Sequence, residues 1–314
     1  MSAPSSCWIV SKPYAGSQSQ GMGLAQAAGL VAEPRLVETR MNWKFVPPWL
    51  GPWLLRRMPP HPLAPPWPRV AIGCGGVGTA LVAAMRGVAT AAVAVQHPGV
   101  DVRRFLLVFV NPHDDLTGPN VVVTRTALHL VTEQRLEEAR QDWAARFAHL
   151  PRPLVSVLIG GSNGRYQLTA AVAHKLAGQL AAMMRADRVG LVLTPSRRTA
   201  PDVRRIFAET LGPLGAWVWD ETTENPYFGM LALSDLIIVT EDSVSMMSEA
   251  VATTAPVMLT RLTGRSGRIG RFTDEMLASG RVREFGGRYV PWPVVPMNDT
   301  LEAGAMLRRL LGYG

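Results

Sequence analysis

Cysteine is almost missing from this chain of 314 residues, which contains only Cys7 and Cys74. Two thiols cannot build the disulfide framework of a small secreted domain, and no group of Cys and His residues has the spacing of a zinc site. We therefore expect a protein of the reducing cytoplasm. Separately, we expect the protein to use no metal and no cofactor.

Long apolar runs are absent as well. No uncharged apolar stretch reaches the roughly 18 residues that a membrane-spanning helix requires. The first residues, MSAPSSCWIVSKPYAG, lack the basic start and long apolar core of a secretory signal. These absences predict a cytoplasmic protein that is soluble or, at most, peripheral at the inner face of the cell membrane.

Lysine is scarce, although Lys and Arg (32) together outnumber Asp and Glu (24). Only Lys12, Lys44 and Lys175 occur, so the positive charge is almost entirely arginine, whose planar guanidinium suits bidentate phosphate binding. A net charge of +8 attracts phosphates, anionic lipids and nucleic acid alike. No nucleic-acid motif accompanies the charge, so we expect no nucleic-acid partner. A genomic bias toward Arg explains the composition equally well.

Short apolar runs alternate with helical patterns from end to end of the chain. The strand-like runs CWIVS, RVAIG and LVSVLIG lead into the helical patterns GMGLAQAAGL, TALVAAMR and LTAAVAHKLAGQLAAMM. This rhythm is typical of βαβ units and predicts an α/β fold whose parallel sheets are covered by helices on both faces.

The best domain boundary is HLPRP at residues 149–153, where two prolines separate a helical pattern from the next strand. We predict two domains of similar size, residues 1–150 and 151–314, with a ligand cleft between them.

Residues 41–68 interrupt the alternation with nine prolines and four tryptophans beside Arg56 and Arg57. Trp and Arg favour the headgroup region of a bilayer, so one interpretation is a peripheral membrane contact. The alternative, which sequence alone favours, is a Pro-rich connection whose tryptophans pack onto the first domain.

GCGGVG, from Gly73 to Gly78, matches G-x-G-x-x-G between a strand and a helix. A dinucleotide site would also place an acidic residue at the end of the next strand, but AAVAVQHPG has Gln96 and His97 there. We therefore expect a glycine-rich turn beneath another ligand and no NAD.

Two polar turns follow predicted strands of the second domain. GGSNGRY, residues 160–166, precedes a long helix, so its glycines allow backbone N–H groups to converge on an anion at the helix start. The run LVLTPSRRTAP places Ser196, Arg197 and Arg198 at another strand end, where guanidinium groups can pair a diphosphate. A solvated turn with a helix cap is an equally good interpretation of the second run.

A third polar strand end lies in LIIVTEDSVSMMSEA, residues 236–250. Either Asp242 or Ser243 caps the helix that follows the strand, and Glu249 lies nearly two turns into it, on the face that Ser245 approaches. We predict that Glu249 accepts ribose hydroxyls and that the helix start holds phosphate. Helix capping explains this run alone, but open α/β sheets bind ligands at the carboxyl ends of their strands. Three such ends favour a nucleotide site.

The first domain offers candidate acceptor residues in KPYAGSQSQG, residues 12–21, which we expect to form a loop between a strand and a helix. Its small and polar residues, among them Gly16, Ser17 and Gln20, can hold an acceptor. His97, in QHPG, is a further candidate.

A candidate general base follows the strand RFLLVFV, where His113 stands beside Asp114 and Asp115. A neighbouring carboxylate raises the proton affinity of a histidine, as a base requires. The simpler alternative for His113, and for His97, is a hydrogen bond to nearby backbone.

Taken together, the motifs resemble the mitochondrial fission ELM ("elongated mitochondria") family of plant proteins and bacterial relatives, with this chain similar to a bacterial-type member. The motifs that carry the resemblance are GSQSQGMGL, QHP, PHDDLTGPNVVVTRTALH, LIGGSNGRY, SRRT, ENPYFGMLALSD and TEDSVSMMSEA. The family resembles GT-B glycosyltransferases, which implies two Rossmann-like domains whose parallel sheets face each other across a cleft. The second domain would hold a nucleotide-sugar and the first would present the acceptor.

Residues and resemblance together define a candidate nucleotide-sugar site. It comprises Gly160, Gly161, Ser162, Asn163, Ser196, Arg197, Arg198, Asn225, Asp242, Ser243, Ser245 and Glu249. The resemblance places the glycines and Ser162 near the diphosphate, and Ser243, Ser245 and Glu249 along the nucleotide.

The leading hypothesis is a metal-independent, hexosyltransferase-type GT-B enzyme. It would move a sugar from a nucleotide-diphosphate donor to a cell-envelope glycan or lipid-linked acceptor, with His113 or Asp114 as the base. The absence of a D-x-D metal motif agrees with this hypothesis. The alternative is a non-catalytic scaffold that binds a partner at a membrane surface, for which residues 41–68 would govern recruitment.

Overall fold

The computed structural model describes residues 6–38, 43–46, 50, 53–54, 57, 63, 65–86 and 91–312. Their backbone contacts divide the chain into two compact units, one formed by Met1–Leu130 with Asn298–Gly314 and the other by Val131–Met297. Each unit is an α/β structure built on a six-stranded parallel sheet, so the predicted fold class is confirmed.

The first unit contains one sheet of order β2-β1-β3-β4-β5-β6, in which every neighbouring pair is parallel. Its strands are β1 (Ser6–Ser11), β2 (Val31–Leu36), β3 (Val70–Cys74), β4 (Ala91–Val95), β5 (Leu107–Val110) and β6 (Val121–Val123). Helix α1 (Ala15–Ala27) follows β1 directly and α2 (Gly75–Ala84) follows β3. Short 3-10 helices lie at Trp43–Phe45, Val102–Arg104 and Pro112–Asp114.

The second unit contains a parallel sheet of order β10-β9-β7-β11-β12-β14. Its helices are α3 (Glu133–Phe147), α4 (Ala170–Asp187), α5 (Pro201–Leu211), α6 (Tyr227–Leu233), α7 (Val244–Val251) and α8 (Gly267–Ala278), with a 3-10 helix at Gly212–Leu214. The sheet strands are β7 (Leu154–Ile159), β9 (Gly190–Pro195), β10 (Trp217–Val218), β11 (Leu236–Thr240), β12 (Val257–Thr260) and β14 (Val282–Glu284). The two remaining strands, β8 (Tyr166–Gln167) and β13 (Thr263–Gly264), pair antiparallel with each other.

Strand β7 shows why the sheet of the second unit is central. Val155 and Val157 belong to a core shared with α4 and α5, whereas Leu154 and Leu158 belong to a second core with α3, α7 and α8. Successive side chains of a strand point to opposite faces, so an apolar run such as LVSVLI requires helices on both faces. The near-continuous apolar strands of the sequence are thereby explained.

The division into units differs from the boundary at residue 150 that the prolines suggested. Helix α3 packs Trp143 and Phe147 into the core of the second unit. The last helix, α9 (Thr300–Leu310), returns to the first unit, where Gly304 lies so close to Ala27 of α1 that an added Cβ would meet its Cβ at 2.4 Å. Local proline content marks a turn, but burial of these apolar helix faces decides which unit each helix joins.

Only part of residues 41–68 lies within the described residues. Trp43 and Leu63 are buried in the core of the first unit, and the Trp67 ring lies 6.0 Å from the Trp8 ring. Phe45 and Trp53 are exposed, by 82% and 49%. The described part of the segment therefore has both a packed and an exposed component.

Across the helices that the structure describes, none combines the length and apolar character needed to cross a bilayer.

Candidate functional site

The three polar strand ends of the second unit lie side by side, because β9, β7 and β11 are neighbours in the sheet. The Gly160 N–H donates to Thr240 Oγ1 at 2.8 Å. From the other side, the hydroxyls of Ser196 and Thr199 both donate to the Gly160 carbonyl, Thr199 at 2.6 Å. Direct hydrogen bonds thus join the three turns at one edge of the sheet, where the sequence led us to expect them.

Asp242 forms the centre of this edge. Its carboxylate is fully buried and accepts from Thr240 Oγ1 at 2.6 Å, from the Gly161 N–H at 3.2 Å and from the Arg198 guanidinium at 2.7 Å. Arg198 is therefore held by a protein carboxylate, whereas the sequence suggested that it pairs a diphosphate. A buried carboxylate needs such partners because its desolvation is otherwise unfavourable.

Gly160 and Gly161 are required by close packing of this edge. A Cβ on Gly160 would lie 2.2 Å from Asp242 Oδ1, and one on Gly161 would lie 2.3 Å from the Arg198 carbonyl oxygen. Both distances are far inside van der Waals contact, so any side chain there would displace Asp242 or the turn that carries Arg198. The glycines thus serve the hydrogen-bond network itself.

The turn GGSNGRY does not run straight into a helix, contrary to our expectation. Asn163 Oδ1 accepts from the N–H groups of Arg165 and Tyr166 at 2.8 and 2.9 Å, which closes a turn that leads into β8. Helix α4 begins only at Ala170, with Thr169 as its cap. Ser162 Oγ accepts from the Leu168 N–H at 3.1 Å. An Asn side chain can accept from backbone N–H groups that a helix would otherwise use, which favours a turn at Asn163. The pairing of β8 with β13 then holds the chain after this turn in an extended conformation.

Ser196 and Arg197 have different environments although they are adjacent. Ser196 is partly buried, and besides donating to Gly160 its hydroxyl accepts from the Arg198 N–H at 3.1 Å. Arg197 is exposed. Of the two arginines in this turn, Arg197 is the one without an ion pair among the described residues.

Helix α7 begins at this edge as predicted, and Ser243 is its cap, accepting from the Met246 N–H at 3.3 Å. Ser245 lies partly buried in the first turn. With Asp242 engaged in the turn network, the choice between the two predicted caps is settled in favour of Ser243.

Glu249 lies on α7 and is 7% exposed. The Tyr227 hydroxyl donates to its carboxylate. Burial, together with the charge of Glu249, raises the pKa of Tyr227. Burial lowers the pKa of Arg135, and Glu249 opposes that effect. Glu249 therefore has partners within the protein, whereas the sequence suggested a ribose contact.

A cavity of about 480 Å³ lies beside these residues. Asn225 lines it together with Arg135, Tyr227 and Phe228. The Arg135 guanidinium stacks 3.9 Å from the Phe228 ring centre. The Tyr227 N–H donates to Asn225 Oδ1 at 3.0 Å, so Tyr227 connects the predicted residues Asn225 and Glu249.

A larger cavity, of about 770 Å³, was missed by the sequence reasoning. It is lined by residues of the turn after β7, of the turn after β12 and of the start of α8, including five arginines. The signal was present in RLTGRSGRIGR, residues 261–271, where four arginines and three glycines follow a predicted strand. The run matches no known phosphate motif, so its charge and glycine content are the only signal that the sequence offers.

In the first unit a cavity of about 410 Å³ lies at the ends of β1 and β3. Ser17 lines it with Lys12, Tyr14, Gly75 and Gln96.

The expected glycine-rich turn is not present: Gly73 lies in β3, and α2 begins directly at Gly75. Gly73 and Gly78 instead allow the helix to pack against the sheet, since an added Cβ on Gly78 would lie 2.1 Å from the Val10 carbonyl oxygen.

The predicted acceptor loop is not a loop. Helix α1 begins at Ala15, so Gly16, Ser17 and Gln20 are all helical. Gln20 is buried and accepts from the Gln96 side chain at 3.2 Å. Within α1, Gly21 permits close packing on the sheet, where an added Cβ would lie 2.5 Å from Ile9. Polar composition suggested a loop, but tertiary packing overrides it.

His97 is exposed, and its Nδ1 accepts from the Gly99 N–H at 3.0 Å. This is the local backbone hydrogen bond that we gave as the alternative to an acceptor contact.

His113 and Asp114 lie in the 3-10 helix at Pro112–Asp114. His113 is 4% exposed. Asp114 forms a capping box with Asn111, whose N–H donates to Asp114 Oδ2 at 3.2 Å. His113 is thus buried and Asp114 caps the 3-10 helix, and Asp114 is the more accessible of the two. Across the residues that the structure describes, no three His, Cys, Asp or Glu side chains cluster as a metal ion would require.

The fold is similar to those of solved sugar-nucleotide enzymes. A UDP-GlcNAc 2-epimerase from Methanocaldococcus jannaschii, in complex with UDP-GlcNAc and UDP, matches with a TM-score of 0.58 and 12% identity over 98% of this chain and 99% of that one. MurG from Acinetobacter baumannii gives 0.51 and 12%, and UGT71G1 from Medicago truncatula, complexed with UDP-glucose, gives 0.52 and 10%; both cover 98% of this chain and 92% of theirs. These likenesses define a GT-B-like fold class shared by glycosyltransferases and epimerases.

The chain belongs to the mitochondrial fission ELM1 family, whose model matches residues 15–311. The mitochondrial fission protein ELM1 of Arabidopsis thaliana is 30% identical over 274 residues, which cover 78% of this chain and 64% of the plant protein. The matched part thus spans less than two thirds of that relative. An uncharacterized protein of Rickettsia prowazekii, RP120, is 26% identical over 151 residues, or 47% of this chain and 42% of its own length. The family resemblance predicted from the motifs is confirmed.

Proposed function

We propose that the protein is a GT-B-type glycosyltransferase that moves a sugar from a nucleoside-diphosphate donor to a cell-envelope glycan or lipid-linked acceptor without a metal ion. The observation that carries the proposal is the hydrogen-bonded edge of the second unit, where the ends of β7, β9 and β11 meet at the start of α7. Ligands of open α/β sheets bind at the carboxyl ends of the strands. Similar folds that hold UDP-GlcNAc or UDP-glucose support this class of donor.

In this proposal the start of α7 and the exposed turn at residues 162–164 face the donor diphosphate. Backbone N–H groups in the first turn of a helix have no intrahelical acceptor and carry partial positive charge, which favours phosphate. Arg198, held against Asp242, stabilises the turn that presents Arg197. Arg197 then supplies an exposed guanidinium for the leaving diphosphate.

The nucleoside would occupy the side of this edge near the cavity of about 480 Å³, which falls within the size range of small-molecule sites. Asn225 lines that cavity, and Glu249 is connected to it through the Tyr227 hydroxyl. We assign Glu249 to the ribose hydroxyls, either directly or through Tyr227.

The acceptor side of the proposal rests on the first unit. Its cavity, which Ser17 and Lys12 line, is the place where an acceptor head group would bind. In the reaction, an acceptor hydroxyl oxygen forms a bond to the anomeric carbon while the bond from that carbon to the diphosphate oxygen breaks. His113 or Asp114 accepts the hydroxyl proton, and the nucleoside diphosphate leaves with the bonding electrons.

The experiment is a thermal-shift screen of the full chain with nucleoside diphosphates and their sugars, followed by a transfer assay with the best donor. A ligand of the folded state raises the apparent unfolding temperature. His113→Ala and Asp114→Asn should retain the donor shift, and the variant that removes the base should lose transfer. His174→Ala, at an exposed position of α4, is the matched control. A screen in which no nucleotide shifts the protein would refute the proposal.

The second candidate is a scaffold that binds at a membrane surface, and one observation favours it. Phe45 and Trp53 are exposed in the first unit, and the Arg57 guanidinium lies 4.7 Å from the Trp53 ring centre. Exposed aromatic and Arg side chains suit the headgroup region. Co-sedimentation with anionic vesicles tests it, since Phe45→Ala with Trp53→Ala should release a recruited protein and leave the donor shift unchanged.

A further inference from the structure

The larger cavity of the second unit, of about 770 Å³, borders the proposed donor edge. Glu241, which lines it, directly precedes Asp242 and the cap of α7. Tyr166 lines it as well and is the first residue of β8, directly after the turn that follows β7. The cavity therefore lies at the same carboxyl edge of the sheet, next to the groups that hold the turns together.

Arginine dominates the charged lining of this cavity. Glu241 and Asp274 are its two carboxylates, against five arginines: Arg165, Arg261, Arg265, Arg268 and Arg271. Arg261 is occupied by Glu241, at 3.0 Å, and by Glu284, at 2.7 Å. Glu241 is 4% exposed and also accepts from the Leu262 N–H at 2.7 Å, so it is committed to the protein. With five arginines against two carboxylates, the charged lining of the cavity is positive overall.

The start of α8 adds to that potential. Ser266 caps the helix, and its first turn contains no acidic residue that would offset the helix dipole. Arg165 and Arg265 are held near each other, because the Arg265 N–H donates to the Arg165 carbonyl at 3.1 Å. Both side chains are exposed, and neither forms an ion pair with a described residue.

Two glycines of the cavity lining, Gly267 and Gly270, have no packing reason to be glycine. A Cβ on either would meet no atom within 4 Å, and neither has a positive φ angle. Glycine inside a helix is unfavourable relative to alanine because it loses more conformational entropy on folding. Glycine at these positions leaves the helix backbone open to close approach by a bound group.

We propose that this arginine cavity is a phosphate-binding site that holds the diphosphate of the donor. The inference rests on the proposed function, and it assigns most of the diphosphate charge to Arg165, Arg265 and the start of α8, with Arg197 at the margin. Guanidinium groups pair phosphate oxygens bidentately, and a leaving diphosphate carries more charge than Arg197 alone can offset.

The test is calorimetric titration of the full chain with inorganic pyrophosphate and with the nucleoside diphosphate selected by the thermal-shift screen. We expect the double variant Arg165→Gln with Arg265→Gln to lower the affinity for both ligands by about tenfold or more, since each guanidinium would make charge-assisted hydrogen bonds to phosphate. The matched control is Arg185→Gln with Arg205→Gln, which removes the same charge from exposed positions outside the cavity. Equal affinity of the cavity variant and the wild type for pyrophosphate would overturn the site.

The two proposals fail separately. If nucleotide affinity is unchanged in Arg165→Gln with Arg265→Gln but is lost in Arg197→Gln, the proposed function is supported and the assignment of the diphosphate to the arginine cavity is wrong. Pyrophosphate binding that depends on Arg165 and Arg265, without binding of any nucleotide, supports the phosphate site and overturns the donor assignment.

Gly270→Ala gives a second readout that a structural role would not produce. We expect a severalfold weaker affinity for pyrophosphate together with an unchanged or higher unfolding temperature, because alanine favours the helix. Gly178→Ala on α4 is the control, since a Cβ there also meets no atom within 4 Å and lies outside the cavity. A lower unfolding temperature with unchanged affinity in Gly270→Ala would contradict the inference.

Discussion

Replacing Arg198 by alanine should destabilise the second unit, whereas the same change at Arg197 should not. Arg198 pairs at 2.7 Å with Asp242, whose side chain is fully buried. Without Arg198, the carboxylate keeps only Thr240 Oγ1 and the Gly161 N–H among the hydrogen bonds described above. The sequence alone suggested that both arginines pair a diphosphate, in which case neither change would affect the unliganded fold.

The size of the effect follows from the exposure of the pair. A hydrogen bond to a charged group contributes about 1.5–3 kcal/mol. The Arg198 side chain is 39% exposed, so water screens the pair and the lower part of that range applies. We expect a loss of about 1.5–2 kcal/mol in the free energy of unfolding, or roughly 3–8 °C in the unfolding temperature of a unit of this size. Arg197→Ala should stay within about 0.5 kcal/mol of the wild type.

The assay is denaturant and thermal unfolding of Arg197→Ala, Arg198→Ala and Asp242→Asn, each without ligand. Arg198→Ala combined with Asp242→Asn should cost less than the sum of the single changes, since both remove the same interaction. Equal stability of Arg197→Ala and Arg198→Ala, or strict additivity in the double variant, would refute the assignment of Arg198 to Asp242.

Three further predictions concern buried groups. Glu249→Gln should lower the free energy of unfolding by about 1–2 kcal/mol, because the charge-assisted hydrogen bond from the Tyr227 hydroxyl becomes a weaker, neutral one, and a cycle with Tyr227→Phe should be non-additive; additive effects would contradict this contact. Burial lowers the pKa of His129 from 6.5 to about 4, so the neutral form is favoured by folding, and stability should fall as the pH drops from 6.5 to 4 by about 3 kcal/mol. His129→Gln should remove that part of the pH dependence, and an unchanged slope would exclude it. Burial raises the pKa of Cys7 and raises that of Cys74 to about 12, so iodoacetamide at pH 8 should modify both only after unfolding, as mass spectrometry of the native protein would show.

Much of the fold could be predicted because the signal is local. Runs such as LVSVLI, residues 154–159, place apolar side chains on both faces of a strand, with Ser156 as the one polar residue, which indicates a strand buried between two helical layers. The start of α7 was also predictable to within one residue, since both Asp242 and Ser243 can cap a helix, and the structure has Ser243 as the cap.

The start of α1 and the unit boundary could not be predicted, because both depend on distant contacts. KPYAGSQSQG has the composition of a loop, yet Gly21 packs against Ile9 and the helix extends back to Ala15. The proline pair in HLPRP marks a turn, but the burial of Trp143 assigns α3 to the second unit.

The partners of the candidate site residues were the least predictable part. Sequence order places Arg198 and Asp242 far apart, and only the neighbouring positions of β9, β7 and β11 bring them together. The hydrogen bond between Tyr227 and Glu249 likewise joins two residues on different helices, α6 and α7, and no local sequence pattern predicts it. The cavity arginines at residues 261–271 belong to no known phosphate motif, so the sequence shows their positive charge but not that they line a cavity.

Hydrogen–deuterium exchange of the full chain, with and without UDP-GlcNAc and other nucleoside-diphosphate sugars, is the most direct measurement of where a donor binds. We predict slower exchange with one of these ligands in residues 160–166, in residues 241–246 and at the start of α8, because bound phosphate would engage their backbone N–H groups. Exchange that stays unchanged in all three segments at saturating concentrations of every donor would contradict the proposal that this edge of the second unit binds a nucleotide-sugar.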